Sequence, residues 1–350
     1  MAKHARIVVV ISVSLLALLL SACGNPAPAA NSSAATPAKP IRTNYPVSVT
    51  DCRGTTVTFN KAPTRVVTLD PAVLDILLVL GLKSHIVGIT LFDVLGPNDP
   101  ELWSVTKADV LTLPRVNDPN IGYPSKEKII SLNPDFVVSA YPSAFDPSSG
   151  PSSQAGWAQL GINSYLTHGG CGDQAVWTDL SVLYQDIHDF GVIFDVQARA
   201  AAEIAHLETQ VLAQQQRVKD AHLPEYSIGM HNGLTDHPGT MGTTAANAMI
   251  TLAGSRYAFL HDDCANCIVS WEIFVKRNPD VIWLLTYQGE SAQQIAQQLE
   301  NDPRTAEMPA VKNKRFFAVG YDDVVESPRI IDGLTALVSG LIALQPSAHA

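Results

Sequence analysis

The sequence predicts an α/β fold with two pseudo-symmetric lobes and mostly parallel sheets, joined by a long rigid α-helix. Strand and helix patterns alternate in two separate stretches of the chain, as they do in parallel α/β sheets. Between these stretches, apolar residues recur at helical spacing with no strand pattern. A short unit that begins at Ser125 also recurs at Ser270, which indicates that the two lobes are built alike.

The first lobe opens with a strand, helix, strand pattern after Arg65. Asp70-Pro71 begins the helix and Gly81 ends it. A βαβ unit of this kind requires a parallel sheet that is covered on both faces. We predict strands of this lobe at residues 66–69, 86–89, 136–139 and 164–167.

The middle of the chain carries two apolar stripes at helical spacing. The first runs from Leu180 to Phe190, Gly191 interrupts it, and the second runs from Val196 to about Val218. The alternation of strands and helices then resumes. We predict strands at 226–230, 281–286 and 316–319 and helices at 245–252 and 330–344.

The amino terminus has the pattern of a cleaved leader. Lys3 and Arg6 precede an apolar run over 7–20, which is too short for a stable transmembrane helix. The residues that close it, Leu20-Ser21-Ala22-Cys23, resemble the lipobox of bacterial lipoproteins, which implies lipidation of Cys23. We therefore predict an extracytoplasmic protein held at the membrane by its lipid. The predicted divisions are a signal peptide (1–22), a flexible tether (23–44), an N-terminal lobe (45–174), a linking helical segment (175–222) and a C-terminal lobe (223–350).

Composition argues against several classes of protein. The 350 residues are 46% hydrophobic, which is enough for a large core. The 33 acidic residues outnumber the 23 basic ones, a poor match for nucleic-acid phosphates. After the leader, no apolar run approaches the roughly 20 residues that span a bilayer, so a permease or channel is not expected.

Four cysteines remain after Cys23, and they allow three disulfide pairings. We favour Cys52 with Cys171 and Cys264 with Cys267, because each pair then lies within one lobe. The alternative for the second pair is a metal or redox site that also includes His261.

The repeated unit places one carboxylate on each lobe. Residues 125–135 and 270–280 share Ser, Glu, Asn, Pro and Asp at equal spacing. In both copies the Ser is a helix N-cap candidate and the Glu falls in the first helical turn. Because helix N-termini and the carboxyl ends of strands share one edge of an α/β sheet, we expect Glu127 and Glu272 at the rim of the cleft.

Several short motifs carry a family resemblance. They are residues 62–67, 80–82 with 86–88, 132–135, 252–254, and 269–272 with 278–280. The chain resembles the solute-binding lipoproteins of ABC importers for iron-siderophore, haem and cobalamin. The resemblance implies a monomer that serves a permease dimer with a cytoplasmic ATPase. It also implies that Glu127 and Glu272 bind arginines, one on each permease subunit, and that the lobes close only slightly.

The ligand site is predicted from the strand ends, where α/β proteins bind their ligands. A ferric siderophore suits these residues because aromatic rings cover its organic surface and polar groups satisfy its rim. The candidates are Asp70, Thr90, Phe92, Tyr141, Ser143 and His168 on the first lobe, with His231, Asn232, Arg256, Trp271, Tyr287 and Tyr321 on the second. No resident cofactor or metal is predicted.

Three alternatives stay open. Haem or cobalamin would be bound by the same mechanism. A bare zinc or manganese receptor would use histidines and carboxylates, of which ten histidines are available. A serine hydrolase of the penicillin-recognising type would use Ser125 and Lys128, but its companion motifs Ser-Asp-Asn and Lys-Thr-Gly do not occur. We therefore predict a binding protein and not an enzyme.

Overall fold

Two four-stranded parallel sheets form the centres of two lobes. The computed structural model describes residues 42–90, 105–116, 122–171, 176–233, 238, 244–260, 269–286 and 291–345. These residues belong to one compact unit that extends from Pro40 to Ala350. No helix within these ranges is both long enough and apolar enough to cross a membrane.

The strands are short and the helices vary widely in length. In chain order the strands are β1 (Val47–Thr50), β2 (Thr56–Phe59), β3 (Val66–Thr68), β4 (Ile86–Ile89), β5 (Phe136–Ser139), β6 (Asn163–Leu166), β7 (Ser227–His231), β8 (Arg256–Tyr257), β9 (Val281–Thr286) and β10 (Phe316–Gly320). The helices are α1 (Pro71–Val79), α2 (Lys107–Val110), α3 (Lys126–Ser131), α4 (Gln154–Ala158), α5 (Ser181–Ile193), α6 (Gln197–Asp220), α7 (Ala245–Leu252), α8 (Trp271–Arg277), α9 (Ala292–Asn301), α10 (Pro309–Lys312) and α11 (Ile330–Ala343).

The first lobe has the strand order β4-β3-β5-β6, and β1 and β2 form a separate antiparallel pair. The strands β3 and β5 are wholly buried, as expected for a parallel sheet with both faces covered. The helix α1 begins because Asp70 accepts a hydrogen bond from the Val73 N–H at 2.9 Å and Pro71 occupies its first position. It ends before Gly81, whose φ of 69° suits glycine.

The linking segment contains the predicted long helix, α6, which has 24 residues, and the shorter helix α5 packed against it. The break falls at Phe194–Val196 and not at Gly191, because Asp195 adopts a left-handed φ of 57°. Gly191 lies inside α5 and lets the two helices approach closely. A Cβ placed on it would lie 2.6 Å from the Cβ of Ala200.

The described chain begins on this helix break. The Thr43 N–H donates to the Asp195 carboxylate at 2.7 Å, and the Thr43 hydroxyl donates to the Val192 carbonyl at 2.7 Å. The Tyr45 hydroxyl donates to the Ile193 carbonyl, also at 2.7 Å. The start of the body therefore satisfies carbonyls at the end of α5 that the helix itself leaves unpaired.

The second lobe has the strand order β10-β9-β7-β8. One cluster of buried apolar side chains extends from the first sheet through α5 and α6 to the second sheet and α11; its members include Phe136, Phe190, Leu207, Met230 and Leu337. A smaller cluster around Trp157 lies in the first lobe only. The continuous core indicates that the linking helices are packed parts of both lobes and not a free linker.

A disulfide joins Cys52 to Cys171, as the sequence predicts, with the two Cα atoms 5.8 Å apart. It connects the turn after β1 to a 3₁₀ turn at His168–Cys171, which follows β6. The second predicted pair, Cys264 with Cys267, and the alternative ligand His261 lie outside the described residues.

Candidate functional site

The repeated unit forms the same local structure in both lobes. The Ser125 hydroxyl accepts from the Lys128 N–H at 3.3 Å at the start of α3, and the Ser270 hydroxyl accepts from the Ile273 N–H at 3.2 Å at the start of α8. Both serines are therefore N-caps. Glu127 and Glu272 are exposed in the first turns of these helices. Each lobe presents one carboxylate in an equivalent position.

The Asn-Pro-Asp end of each unit connects the helix to the next strand. Asn133 and Asn278 have left-handed φ values of 47° and 44°, which turn the chain after the helix. The Asp135 carboxylate accepts from the Arg65 N–H at 2.9 Å, ahead of β3. The Asp280 carboxylate accepts from the Ser227 N–H at 2.8 Å, at the start of β7. The repeat thus has a structural explanation, and its two exposed glutamates lie in the first helical turns, where the helix dipole favours a carboxylate.

The carboxyl-end edges of the two sheets meet. Tyr141 follows β5 in the first lobe and Tyr321 follows β10 in the second, and the two phenols lie close enough for Tyr321 to raise the pKa of Tyr141. Residues 321–329, which we call the crossing segment, make further contacts with the first lobe. Ser327 lies near the Asp75 carboxyl of α1, and Glu326 packs against Gly169. These contacts join the two lobes at the edge where the sequence predicts the ligand site.

On the first lobe, the predicted ligand residues that carry a hydroxyl group, Thr90, Tyr141 and Ser143, lie at this edge. Burial raises the pKa of the Tyr141 phenol well above its usual range, and nearby Tyr321 and Asp70 raise it further. The hydroxyl groups of Ser143 and Tyr123 are 2.8 Å apart, so Tyr123 joins a site from which the sequence analysis omitted it. Thr90 is also at this edge but fully buried.

Asp70 supports this edge from beneath. Its side chain is fully buried, and its second carboxylate oxygen accepts from the Ala140 N–H at 2.7 Å. With the Val73 bond described above, both oxygens are used by backbone donors. The prediction that Asp70 contacts the ligand is therefore corrected: it holds α1 against the end of β5.

On the second lobe, the candidate residues His231 and Trp271 lie together. Their ring centroids are 5.3 Å apart, and the Arg304 guanidinium lies 4.7 Å above the indole ring, a cation–π distance. The Nδ1 atom of His231 is 2.7 Å from the Pro238 carbonyl and therefore donates to it. A cavity of about 630 Å³ is lined here by His231, Trp271, Gln298, Leu299, Asn301, Asp302, Pro303 and Arg304.

Arg256 is far from the cleft, contrary to the prediction. It begins β8, where it pairs in register with Ser227 at the amino end of β7. Its side chain is 59% exposed and lies 3.4 Å from the Glu225 carboxylate. The opposite end of β7, at His231, is the one that faces the cleft. Asn232 follows His231 directly, whereas Phe92 and Tyr287 lie outside the described residues.

His168 belongs to a buried network and not to the cleft surface. The Asp189 carboxylate of α5 accepts from the Tyr165 hydroxyl at 2.9 Å and from the Gln185 amide at 2.8 Å, and lies 3.2 Å from both the His168 and the His188 rings. Burial alone would raise the pKa of this carboxyl, but these bonds outweigh it and lower the pKa. The hydrogen bond to Asp189 in turn raises the pKa of His168.

We expect Asp189→Asn to lower the free energy of unfolding by about 2 to 3 kcal/mol near pH 7, because an amide cannot accept all four bonds. The stabilisation by the ionised carboxylate is present above the unfolded pKa of about 4 and is lost as pH falls through the lower folded pKa. Urea unfolding at several pH values measures both effects. The control is Asp220→Asn, at the exposed end of α6, which should change the free energy of unfolding by less than about 0.5 kcal/mol. If both variants lose the same free energy of unfolding, Asp189 has no special role.

The protein has two α/β lobes that share a helical connection, and phenols and hydroxyl groups lie at the strand ends where the lobes meet. This arrangement is typical of a bilobal binding protein. Comparison with known proteins agrees with this class. The sequence profile of the family described as periplasmic binding protein matches residues 66–322. The chain belongs to this family.

A relative from Bacillus subtilis, described as an uncharacterized ABC transporter substrate-binding lipoprotein (YvrC), is 28% identical over 333 residues, covering 93% of this chain and 94% of that protein. A periplasmic binding protein from Veillonella parvula has a TM-score of 0.73 at 24% identity, covering 86% of this chain and 98% of the other. An ABC-type Fe3+-hydroxamate transport system from Saccharomonospora viridis has a TM-score of 0.70 at 23% identity, and the match covers 85% of this chain and 99% of the other. The periplasmic haem-binding protein RhuT from Roseiflexus, in its apo form, has a TM-score of 0.61 at 21% identity, and the match covers 80% of this chain and 98% of the other. The structural likenesses establish the fold.

Proposed function

We propose that the protein is the extracytoplasmic solute receptor of an ABC importer, and that it binds a ferric siderophore or a related iron chelate between its lobes. One observation carries this proposal: polar aromatic side chains from both lobes lie close together at the strand ends. They are Tyr141 and Tyr321, with Tyr123 and Ser143 beside them. Such a surface suits a ligand that is bulky, organic and rich in hydrogen-bonding groups.

The descriptions of similar proteins support this class of ligand. One solved relative is described as an Fe3+-hydroxamate transport protein, and relatives from Roseiflexus and Pseudomonas aeruginosa are described as haem-binding. Haem is therefore the second ligand to test, and cobalamin the third. For a bare metal ion, the described part of the chain contains no group of three or more potential ligands.

Delivery would use the two exposed glutamates. Glu127 and Glu272 occupy equivalent capped helices, one on each lobe, so a permease dimer with a cation on each subunit could bind both. Anchoring would come from a lipid on Cys23, which lies outside the described residues. The receptor would then remain close to the permease and its ATPase.

Ligand titration of the purified protein tests the proposal. Native mass spectrometry and tryptophan fluorescence should show binding of one ferric hydroxamate, ferric catecholate, haem or cobalamin, in preference to Zn²⁺ or Mn²⁺. We expect Tyr141→Phe and Tyr321→Phe to weaken binding about three- to tenfold each, the value of one hydrogen bond. Tyr184→Phe, on α5, should leave affinity unchanged. Selective binding of a bare metal ion, or no binding of any chelate, would contradict the proposal.

A further inference from the structure

The 3₁₀ turn His168–Cys171, which we call the glycine turn, touches both lobes. It follows β6 and contains two adjacent glycines. One glycine meets the crossing segment of the second lobe, and the other meets the loop directly after β5. Both neighbours carry a phenol of the proposed ligand site, since Tyr321 opens the crossing segment and Tyr141 lies in the loop after β5.

Neither glycine has room for a side chain at these contacts. A Cβ placed on Gly170 would lie 2.6 Å from the carbonyl oxygen of Ala140, the residue before Tyr141. A Cβ placed on Gly169 would lie 2.8 Å from both Cβ and Cγ of Glu326. Neither glycine has a positive φ, so space and not backbone conformation requires glycine here. An added methyl group would therefore displace either the turn or the neighbour that it meets.

The glycine turn is fixed against α5. The Asp186 carboxylate is fully buried and accepts from the N–H groups of His168 at 2.6 Å and Gly169 at 3.0 Å. The His168 ring lies 3.2 Å from the Asp189 carboxylate, three residues further along the same helix. Three polar contacts therefore hold the turn on this side.

The disulfide fixes the end of the glycine turn. Cys171 is bonded to Cys52, which lies between β1 and β2. That region is itself held in the first lobe, because the buried Asp51 carboxylate accepts from the Gln154 amide of α4 at 2.7 Å. With the turn fixed on these sides, a displacement would pass mainly to the loop after β5 or to the crossing segment.

We infer that Gly169 and Gly170 are positioning residues for the ligand site: because they lack side chains, the lobes approach until Tyr141 and Tyr321 lie together. Gly170 sets the position of the loop that carries Tyr141. Gly169 sets the position of the segment that carries Tyr321. The effect on ligand binding rests on the proposed function, whereas the contacts at the glycine turn do not.

Hydrogen exchange of the ligand-free protein, read by mass spectrometry of its peptides, tests the positioning. We expect Gly170→Ala to speed exchange about tenfold at Ala140, whose N–H donates to the buried Asp70 carboxylate at 2.7 Å. We expect Gly169→Ala to do the same in the crossing segment, where the Ser327 N–H donates to a backbone carbonyl. Each variant should affect mainly its own segment.

The matched control is Gly229→Ala on β7. An added Cβ would be equally crowded there, since it would lie 2.8 Å from Pro279. This variant should leave exchange in both segments unchanged. If all three variants speed exchange equally in both segments, or if none does, the inference is overturned.

Two rescuing backgrounds separate positioning from a general loss of stability. With Cys52 and Cys171 both replaced by alanine, the turn can recede, so Gly170→Ala should change exchange in the loop after β5 less than in the oxidised protein. Glu326→Gly removes both atoms that the methyl group of Gly169→Ala would meet, and should likewise reduce its effect. If circular dichroism shows that a glycine variant is unfolded alone, recovery of its fold in the rescuing background is the expected result. Undiminished effects, or no recovery, would contradict the inference.

Ligand affinity is the second readout, with ferrioxamine B, ferric enterobactin, haem and cobalamin as probes. We expect Gly169→Ala and Gly170→Ala to weaken binding of whichever probe the unchanged protein binds by about tenfold, and Gly229→Ala to leave it within about twofold. Unchanged affinity in both glycine-turn variants would overturn the inference. If the unchanged protein binds none of the probes, the proposed function fails, and hydrogen exchange alone decides whether the glycine turn positions its neighbours.

Discussion

Replacing Glu127 and Glu272 together by lysine is expected to abolish uptake of the ligand while leaving its affinity within about twofold. Both side chains are exposed in the first turns of α3 and α8. Lysine at each position would place like charges opposite the cations that we propose on the permease. Uptake by cells that carry the cognate permease, with affinity measured on the purified variant, checks the prediction.

The matched control is Glu208→Lys with Glu307→Lys. It makes the same change in net charge at exposed positions on α6 and before α10. Normal uptake in the control and none in the test variant would assign docking to Glu127 and Glu272. If the test variant transports normally, or if it loses ligand affinity, the docking role is wrong.

Removing the disulfide by Cys52→Ala with Cys171→Ala is expected to lower the free energy of unfolding by about 4 kcal/mol. The bond closes a loop with a sequence separation of 119, and cross-linking a loop of that size restricts the unfolded chain strongly. It also holds the β1–β2 turn to the segment that carries His168 and Gly169. Urea unfolding with and without the bond measures the change.

The reduced wild-type protein is the control for this prediction. It should lose nearly as much stability as the double variant, because both lack only the covalent link. If either loses less than about 1 kcal/mol, the bond does not contribute through the unfolded chain.

The main architecture could be predicted because the strands are buried on both faces and therefore read as continuous apolar runs. The strands β5 and β9 match the predicted ranges, and the helix α7 matches as well. The pair β1 and β2 was missed although its two four-residue strands alternate buried and exposed residues, which is the pattern of a strand with one face in solvent. The helix α9 was also missed, although Ser291 and Gln294 form a capping box that marks its start.

The site could be predicted only in part, because one sequence does not show which loops meet. Tyr141 and Tyr321 do follow β5 and β10 at the predicted edge, and the structure adds that they lie close to each other across the two lobes. Arg256 was misplaced because β8 starts directly after a helix, so the residue lies at the amino end of the sheet.

A crystal structure of the protein with the chelate selected by titration tests the central claim most directly. The account predicts the ligand between the lobes, in contact with Tyr141 of the first lobe and Tyr321 of the second. A ligand held only by second-lobe residues, in the cavity beside Trp271, or on the outer surface of either lobe would contradict it.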